Sequence, residues 1–282
     1  MIKKKRLFYP GEEWVCFKIY SGPNYLDQFL YNHILSFYQK FYSENIIDEF
    51  FFIRYRDPDF HLRLRFRLRD KQSLGNFISA FYRIINPMIE ESIIWKLELV
   101  GYEREIERYG EWSIELVEQF FWRDSIFILE NIQKTERWMC AINFMQYIFK
   151  MFHLNISDQT DFLRSISDNF MREYAIGKKT KIALDLKFRE YKKTIETVLF
   201  NYHQHERRYR SYYDSTVYKL SGLLDLYEKE KRLSVIFSII HMHINRIFVI
   251  DGRKKELVLY YLLNKYYTSY CAKNGKIEQE VS

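Results

Sequence analysis

Apolar and polar positions alternate without error from His61 to Arg69. Leu62, Leu64, Phe66 and Leu68 fall on one side of an extended chain, and His61, Arg63, Arg65, Arg67 and Arg69 fall on the other. That pattern predicts a strand with one face in a core. Residues 50–56 read as a second strand. Asp57-Pro58-Asp59 between them is a turn, because proline presets the backbone angle a turn needs, so the two strands form a hairpin. Trp14–Tyr20 is a further strand. Leu26, Phe29, Leu30, His33, Phe37 and Phe41 recur at helical spacing over about 25–42, and 74–90 is a second helix. Residues 93–105 read as one longer strand, with Trp95, Leu97 and Leu99 on one face and Lys96 and Glu98 on the other, ending before Tyr109-Gly110.

Beyond that point the chain turns helical. Pro10, Pro23, Pro58 and Pro87 all lie in the first third and glycine is sparse, so the last two thirds lack the usual breakers. Helices are predicted over about 113–132, 136–153, 158–174, 180–200, 207–230, 233–249 and 254–271. In the last two, Val235, Ile239, Met242 and Arg246, then Leu257, Tyr260, Tyr261 and Leu262, mark buried stripes. There is no internal repeat, low-complexity segment or linker. The expected fold class is α+β: a small, mostly antiparallel sheet with helices in the N-terminal half (1–110) and a mainly α-helical remainder (111–282). The two halves pack as one unit, a single domain over 1–282.

Composition narrows the class. The chain has 24 Tyr and 24 Phe, which predicts an aromatic core and a groove able to hold a peptide or a flat ligand. A net charge of +7 fits an acidic substrate, RNA or an anionic surface and decides among none of them. Cys16, Cys140 and Cys271 are far apart and odd in number, which points to a reducing cytoplasm. The start, Met1 to Arg6, has the charge of a signal peptide, but only Leu7-Phe8-Tyr9 follows before Pro10-Gly11. No stretch is apolar for about 20 residues, so no membrane span is expected.

Three clusters carry candidate chemistry. All four cations on the 61–69 strand face are Arg, whose planar fork binds a carboxylate or phosphate bidentately. The bland alternative is an edge strand whose solvated charges block aggregation, a task Lys performs as well. The second cluster, Tyr102-Glu103-Arg104-Glu105-Ile106-Glu107-Arg108-Tyr109-Gly110, alternates acid and base. Its alternative is a self-neutralising solvated loop, since exposed ion pairs contribute little. The third runs from Ser238 to Arg246. On a helix His241 and Asn245 share a face, while His243 lies near the opposite side beside Arg246. His-x-His on a helix cannot chelate one metal through both rings, and with no Cys pair zinc is disfavoured. Each histidine also reads as an ordinary core residue, as do His203 and His205. The chain has no Gly-rich phosphate loop, GxSxG or HExxH.

In order along the chain, these motifs carry a resemblance. They are the Trp-led strand at Trp14, then Phe52-Ile53-Arg54-Tyr55-Arg56-Asp57-Pro58 running into His61-Leu62-Arg63-Leu64-Arg65-Phe66, then 102–110, then His241-Met242-His243-Ile244-Asn245-Arg246. Together they resemble the thiopeptide-type bacteriocin biosynthesis family. That family corresponds to the C-terminal elimination domain of lantibiotic dehydratases, here as a stand-alone chain. The resemblance spans nearly the whole sequence and implies one of two activities. One is elimination of glutamate from glutamylated Ser or Thr of a ribosomal precursor peptide, leaving dehydroalanine or dehydrobutyrine. The other is pyridine formation by a formal [4+2] cycloaddition between two dehydroalanines.

For elimination, the resemblance implies that Arg63, Arg65 and Arg108 neutralise the carboxylates of the substrate and leaving group, and that Glu105 holds its ammonium. A histidine is the base, His241 if Asn245 orients it, otherwise His243. Arg54, His61, Tyr102, Asn245 and Arg246 are further substrate-binding candidates. No cofactor or metal is implied. The implied partners are a precursor peptide of leader plus core and a protein that glutamylates it from glutamyl-tRNA; a homodimer is compatible with the aromatic richness. A reading outside enzymology is a peptide- or tRNA-binding adaptor. Its footprint would be the basic tract Lys178-Lys179-Thr180-Lys181, Lys192-Lys193 and Arg207-Arg208-Tyr209-Arg210, which otherwise reads as a solvated helix face.

Overall fold

The computed structural model describes residues 4–134 and 136–280, so Met1–Lys3 of the charged start lie outside the described residues. The elements run β1 (Leu7–Phe8), β2 (Trp14–Tyr20), α1 (Pro23–Phe29), a π turn (Leu30–Ile34), α2 (Leu35–Ser43), β3 (Ile47–Arg56), β4 (Phe60–Leu68), α3 (Leu74–Glu90), β5 (Lys96–Val100) and β6 (Tyr102–Glu103). They continue with α4 (Ile106–Tyr109), α5 (Ile114–Asn131), α6 (Arg137–Met151), α7 (Ile156–Glu173), α8 (Lys178–Phe200), α9 (Tyr202–Leu224), α10 (Lys229–Ile247) and α11 (Gly252–Glu280). The class is α+β, with the sheet in the N-terminal part and helices after it. The chain divides into two compact units: residues 1–135 with 212–250, and residues 136–211 with 251–282. The unit that holds the sheet thus runs past residue 110 and recruits a later segment.

The sheet is antiparallel, in the order β3-β4-β2-β5. Alternation sorts its faces. Phe17 of β2, Phe50 and Phe52 of β3, and Leu62, Leu64 and Phe66 of β4 are buried on one face. There Phe17 stacks on Phe81 of α3 at 4.0 Å, and Phe66 meets Phe77 at 5.2 Å and Phe37 of α2 at 5.9 Å. Each such ring is worth about 1.5–3 kcal/mol of burial, so this layer fixes the register. The other face carries His61, Arg63 and Arg65. β4 is paired on both sides, so the arginine strand is a central strand and the edge-strand alternative fails.

The β3 edge is closed by side chains rather than by another strand. Ser125 Oγ of α5 accepts from Phe52 N–H at 3.3 Å, and Arg246 Nε of α10 donates to Phe52 C=O at 2.9 Å. Asn245 accepts from Arg54 N–H at 3.0 Å and donates to Arg54 C=O at 2.8 Å. These bonds satisfy backbone groups that would otherwise be orphaned at the edge.

Several predicted elements shift. The single strand expected over 93–105 is two strands, because β5 pairs with β2 whereas β6 pairs with β1. The chain passes Gly101 between them, where a Cβ would lie 3.0 Å from Phe8 O. The helix expected over 25–42 contains the π turn, whose extra residue re-phases the apolar stripe so that Leu26, Leu30, Ile34, Phe37 and Phe41 are all buried. The helix expected over 207–230 is α9, displaced toward the N-terminus. Its polar first turns hide the start, and no glycine or proline marks the stop after Leu224.

The second unit is helical. Phe170 of α7 packs on Tyr260 of α11 at 5.7 Å, and Tyr261 Oη donates to Asp185 of α8 at 2.7 Å. Tyr147 of α6 stacks on Tyr209 at 5.8 Å. Among the described residues no helix is long and apolar enough to cross a membrane.

Candidate active site

Arg63 and Arg65 leave β4 on the face opposite the aromatic layer, each half-buried. Across the ladder Lys18 stands opposite Arg63, and Cys16 opposite Arg65. Lys18 is itself offset by Glu98, which stands directly opposite it on β5 at 3.8 Å, whereas the two arginines have no such partner among the described residues. The guanidinium groups rest on aromatic faces: Arg63 lies 3.7 Å over the Tyr55 ring, and Arg65 lies 4.5 Å over Tyr102 and 5.2 Å over Phe51. Among the described residues no carboxylate forms an ion pair with either arginine. Burial first, then the neighbouring Arg65, lowers the pKa of Arg63.

His61 is fully buried and faces Arg63. Its Nδ1 lies 3.0 Å from Asp59 C=O, and its Nε2 accepts from Arg63 Nε at 3.0 Å. That arrangement requires the neutral ring protonated on Nδ1. Burial pushes the His61 pKa down, which keeps it in that form. His61 therefore orients Arg63, with its ring closed off from solvent.

Arg63 and Arg65 open into a cavity of about 500 Å³ that Lys18, Val100, Gly101, Glu105 and Arg108 also line. Arg108 reaches it from the short helix α4. Its Nε donates to Ser238 Oγ of α10 at 2.9 Å, and its Nη1 to Glu105 at 3.1 Å. The turn after α4 needs Gly110, which has φ +89°; a Cβ there would lie 2.3 Å from Tyr227 Oη. The cavity thus unites Arg63, Arg65, Glu105 and Arg108. It adds Lys18, the one charged residue in β2, whose signal was a lone Lys within an aromatic-rich strand.

The 102–110 segment is not a solvated loop throughout. Arg104 is buried and binds Glu118 bidentately at 2.7 and 2.6 Å, and Tyr102 Oη donates to the same carboxylate at 2.6 Å. Tyr102 therefore lies under Arg65 with its hydroxyl bonded to Glu118. Sequence reasoning missed this pair because Glu118 lies on α5, where nothing distinguishes it from a surface acid. Arg6, on the outer rim, pairs with Glu103 at 2.9 Å and Glu107 at 2.5 Å.

The His241–Arg246 motif divides. His243 and Arg246 are fully buried and converge on Asp124 of α5, at 2.5 Å from His243 Nδ1 and 2.9 Å from Arg246 Nη1; Tyr213 Oη donates to it at 2.8 Å. Burial raises the Asp124 pKa, but His243, Arg246 and Tyr213 outweigh it and leave it lowered. Arg54 is also buried, donating to Arg246 C=O at 3.1 Å and pairing with Asp27. Arg54, His243 and Arg246 are thus buried among these partners. Asn245 grips the Arg54 backbone instead of orienting His241. His241 is half-buried, stacks on Phe237 at 6.1 Å, and lies one turn beyond Ser238, which holds Arg108.

A larger depression of about 600 Å³ lies in the second unit beside Lys150, His153 and His203. Lys150 there is neutralised by Glu206 at 2.7 Å, so it lacks the cationic excess of the arginine cavity. Among the described residues no group of three or more His, Cys, Asp or Glu could hold a metal ion.

The family described as lantibiotic biosynthesis dehydratase C-term matches residues 14–267. The subtilin biosynthesis protein SpaB of Bacillus subtilis is 26% identical over 96% of this chain and 27% of its own length. The nisin biosynthesis protein NisB of Lactococcus lactis subsp. lactis is 26% identical over 92% of this chain and 26% of its own. The chain therefore spans about a quarter of these curated relatives. Among solved structures, the tRNA dependent lantibiotic dehydratase MibB from Microbispora sp. 107891 superposes with a TM-score of 0.70 at 16% identity, over 93% of this chain and 29% of MibB. The pyridine synthase TbtD from thiomuracin biosynthesis superposes with a TM-score of 0.67 at 12% identity, over 92% of this chain and 98% of TbtD. At these identities the likeness is one of fold.

Proposed function

The chain belongs to the lantibiotic biosynthesis dehydratase C-terminal family, and on that premise we propose that its arginine cavity eliminates glutamate from glutamylated Ser or Thr of a precursor peptide. One observation carries the reading: Arg63 and Arg65 stand side by side, half-buried, on aromatic faces, with no carboxylate paired to them among the described residues. Two preorganised guanidinium groups without an internal counter-ion suit a substrate that brings its own anions.

Esterified glutamate presents a side-chain carboxylate, an ammonium and an ester that becomes a carboxylate as it leaves. Arg63 and Arg65 bind the side-chain carboxylate. Arg108 meets the departing oxygens, and Glu105 beside it takes the ammonium. His241 removes the α-proton of the modified residue. The electron pair forms the Cα=Cβ bond, the Cβ–O bond breaks, and glutamate departs as its carboxylate. Charge on the enolate and on the leaving group develops beside fixed cations, where electrostatic stabilisation is most effective. His61, Tyr55 and Tyr102 position the arginines. The glutamate is installed by a partner protein that uses glutamyl-tRNA.

The test is mass spectrometry of a glutamylated Ser-containing peptide incubated with the protein alone, without tRNA. Release of glutamate with formation of dehydroalanine is expected. No release, together with turnover of a peptide bearing two dehydroalanines, would replace this reading with the cycloaddition. Binding without any turnover, indifferent to His241→Ala, would replace it with the adaptor.

A further inference from the structure

We propose that the outer edge of β5 binds the substrate peptide as an added strand and so brings the modified residue to the rim of the arginine cavity. The proposal rests on the peptide-substrate reading above and names how that peptide is held.

The four-stranded sheet has two edges, and the chain treats them differently. Ser125, Asn245 and Arg246 close the β3 edge by bonding its backbone. β5 pairs with β2 alone among the described residues, and its outer side carries no such side chains. Its register with β2 is regular over five successive pairs, with no proline and no bulge. Exposed edges are usually protected by such interruptions, because unpaired N–H and C=O groups are a template for another extended chain.

Side chains agree with the backbone. Trp95 and Leu99 continue the aromatic face of the sheet past its edge yet remain 56% and 40% exposed, so an added strand would cover them with its own alternate side chains. On the opposite face Lys96 and Glu98 pair with each other at 2.7 Å, which leaves no net charge against a neighbouring strand.

The edge is continuous with the cavity. Val100 ends β5, and Val100 and Gly101 also line the cavity. Residues paired across a ladder point to the same face. A peptide residue opposite Val100 therefore projects onto the face that carries Lys18, Arg63 and Arg65. Five residues of β5 span roughly 17 Å, so the backbone contact would cover about five peptide residues on one side of the modified one. Recognition through backbone groups tolerates varied side chains on the peptide.

The experiment alters the peptide and leaves the protein intact. Short synthetic peptides carry a central diaminopropionate whose side-chain amine bears glutamate as a stable amide. Single N-methyl groups are walked along the backbone, and binding to the whole chain is measured by calorimetry. The expected result is about a tenfold or greater loss at alternate residues on one side of the centre and little loss between them, the period-two signature of strand addition. No loss anywhere, or equal loss at every position, would overturn the proposal. The same walk on the peptide with plain Ser separates the two ideas. Alternation there with no elimination from the ester sinks the elimination chemistry alone; elimination without alternation sinks strand addition alone. A homodimer in sedimentation that Leu99→Lys dissociates, with no alternation in peptide binding, would assign the edge to a second copy and overturn the proposal.

Discussion

Arg63, proposed above to bind the glutamate carboxylate, shows how far one side chain is set by its neighbours. Its guanidinium is set by a neutral histidine on one side and a tyrosine ring on the other, and neither support needs to touch substrate. Replacing Arg63 or Arg65 by Ala should lower the rate of glutamate release by about 10²-fold or more, with circular dichroism unchanged. Arg63→Lys should rescue little, because an ammonium cannot reproduce the fork or its bond to His61. His61→Ala should act through Arg63, raising KM more than it lowers kcat. A buried acid at the far end of the β3–β4 ladder, opposite Arg67, gives a pH signature. Burial, only partly offset by Arg67, pushes the Glu49 pKa up to about 7. The folded state thus holds this proton more tightly than the unfolded chain, so its contribution is intact below about pH 4.5 and is lost as pH rises through 7. The loss is on the order of 3 kcal/mol. Urea unfolding at pH 5 and pH 8 should show this drop, and Glu49→Gln should flatten it.

Among the elements, β4 was legible because strict alternation leaves one reading. Leu62, Leu64 and Phe66 are buried and Arg63 and Arg65 face the cavity, as the pattern required. The split between β5 and β6 was not legible, because alternation reports which face a residue takes and says nothing about which strand it pairs with. Spacing on α10 placed His243 beside Arg246 correctly but could not reveal Asp124, which lies 119 residues from His243 in sequence and joins them only in the folded chain. Asn245 was expected to serve a histidine and instead closes a sheet edge. Asn245→Ala would leave the N–H and C=O of Arg54 unsatisfied, at about 1–3 kcal/mol for each group that stays buried, read as a lower urea midpoint with the same slope. Gly110→Ala should displace α4 and with it Arg108. Glutamate release is then expected to fall even though no residue of the cavity has changed.

For the whole molecule, the net charge of +7 is a poor guide to the site, whereas its local arrangement is a good one. The cavity brings six basic side chains to three acidic ones, and the ion pairs of Arg6 use two of those acids. Attraction of an anionic substrate to this surface is screened by salt. Raising ionic strength from about 0.05 M to 0.5 M should therefore raise KM several-fold while leaving kcat nearly constant, a split that steady-state kinetics resolves.

The plugs in the β3 edge also set a timetable for the chain's birth. One of them, Ser125, is made soon after the sheet; the other two, Asn245 and Arg246, emerge from the ribosome only after the whole of residues 136–211. Until then the nascent sheet carries an aromatic strand, Phe50-Phe51-Phe52, with half of its border unsealed. Such long-range closure slows folding and leaves an interval in which strangers can add to the sheet. A fragment ending near residue 135 should accordingly aggregate when made alone and be rescued by supplying residues 212–250 in trans.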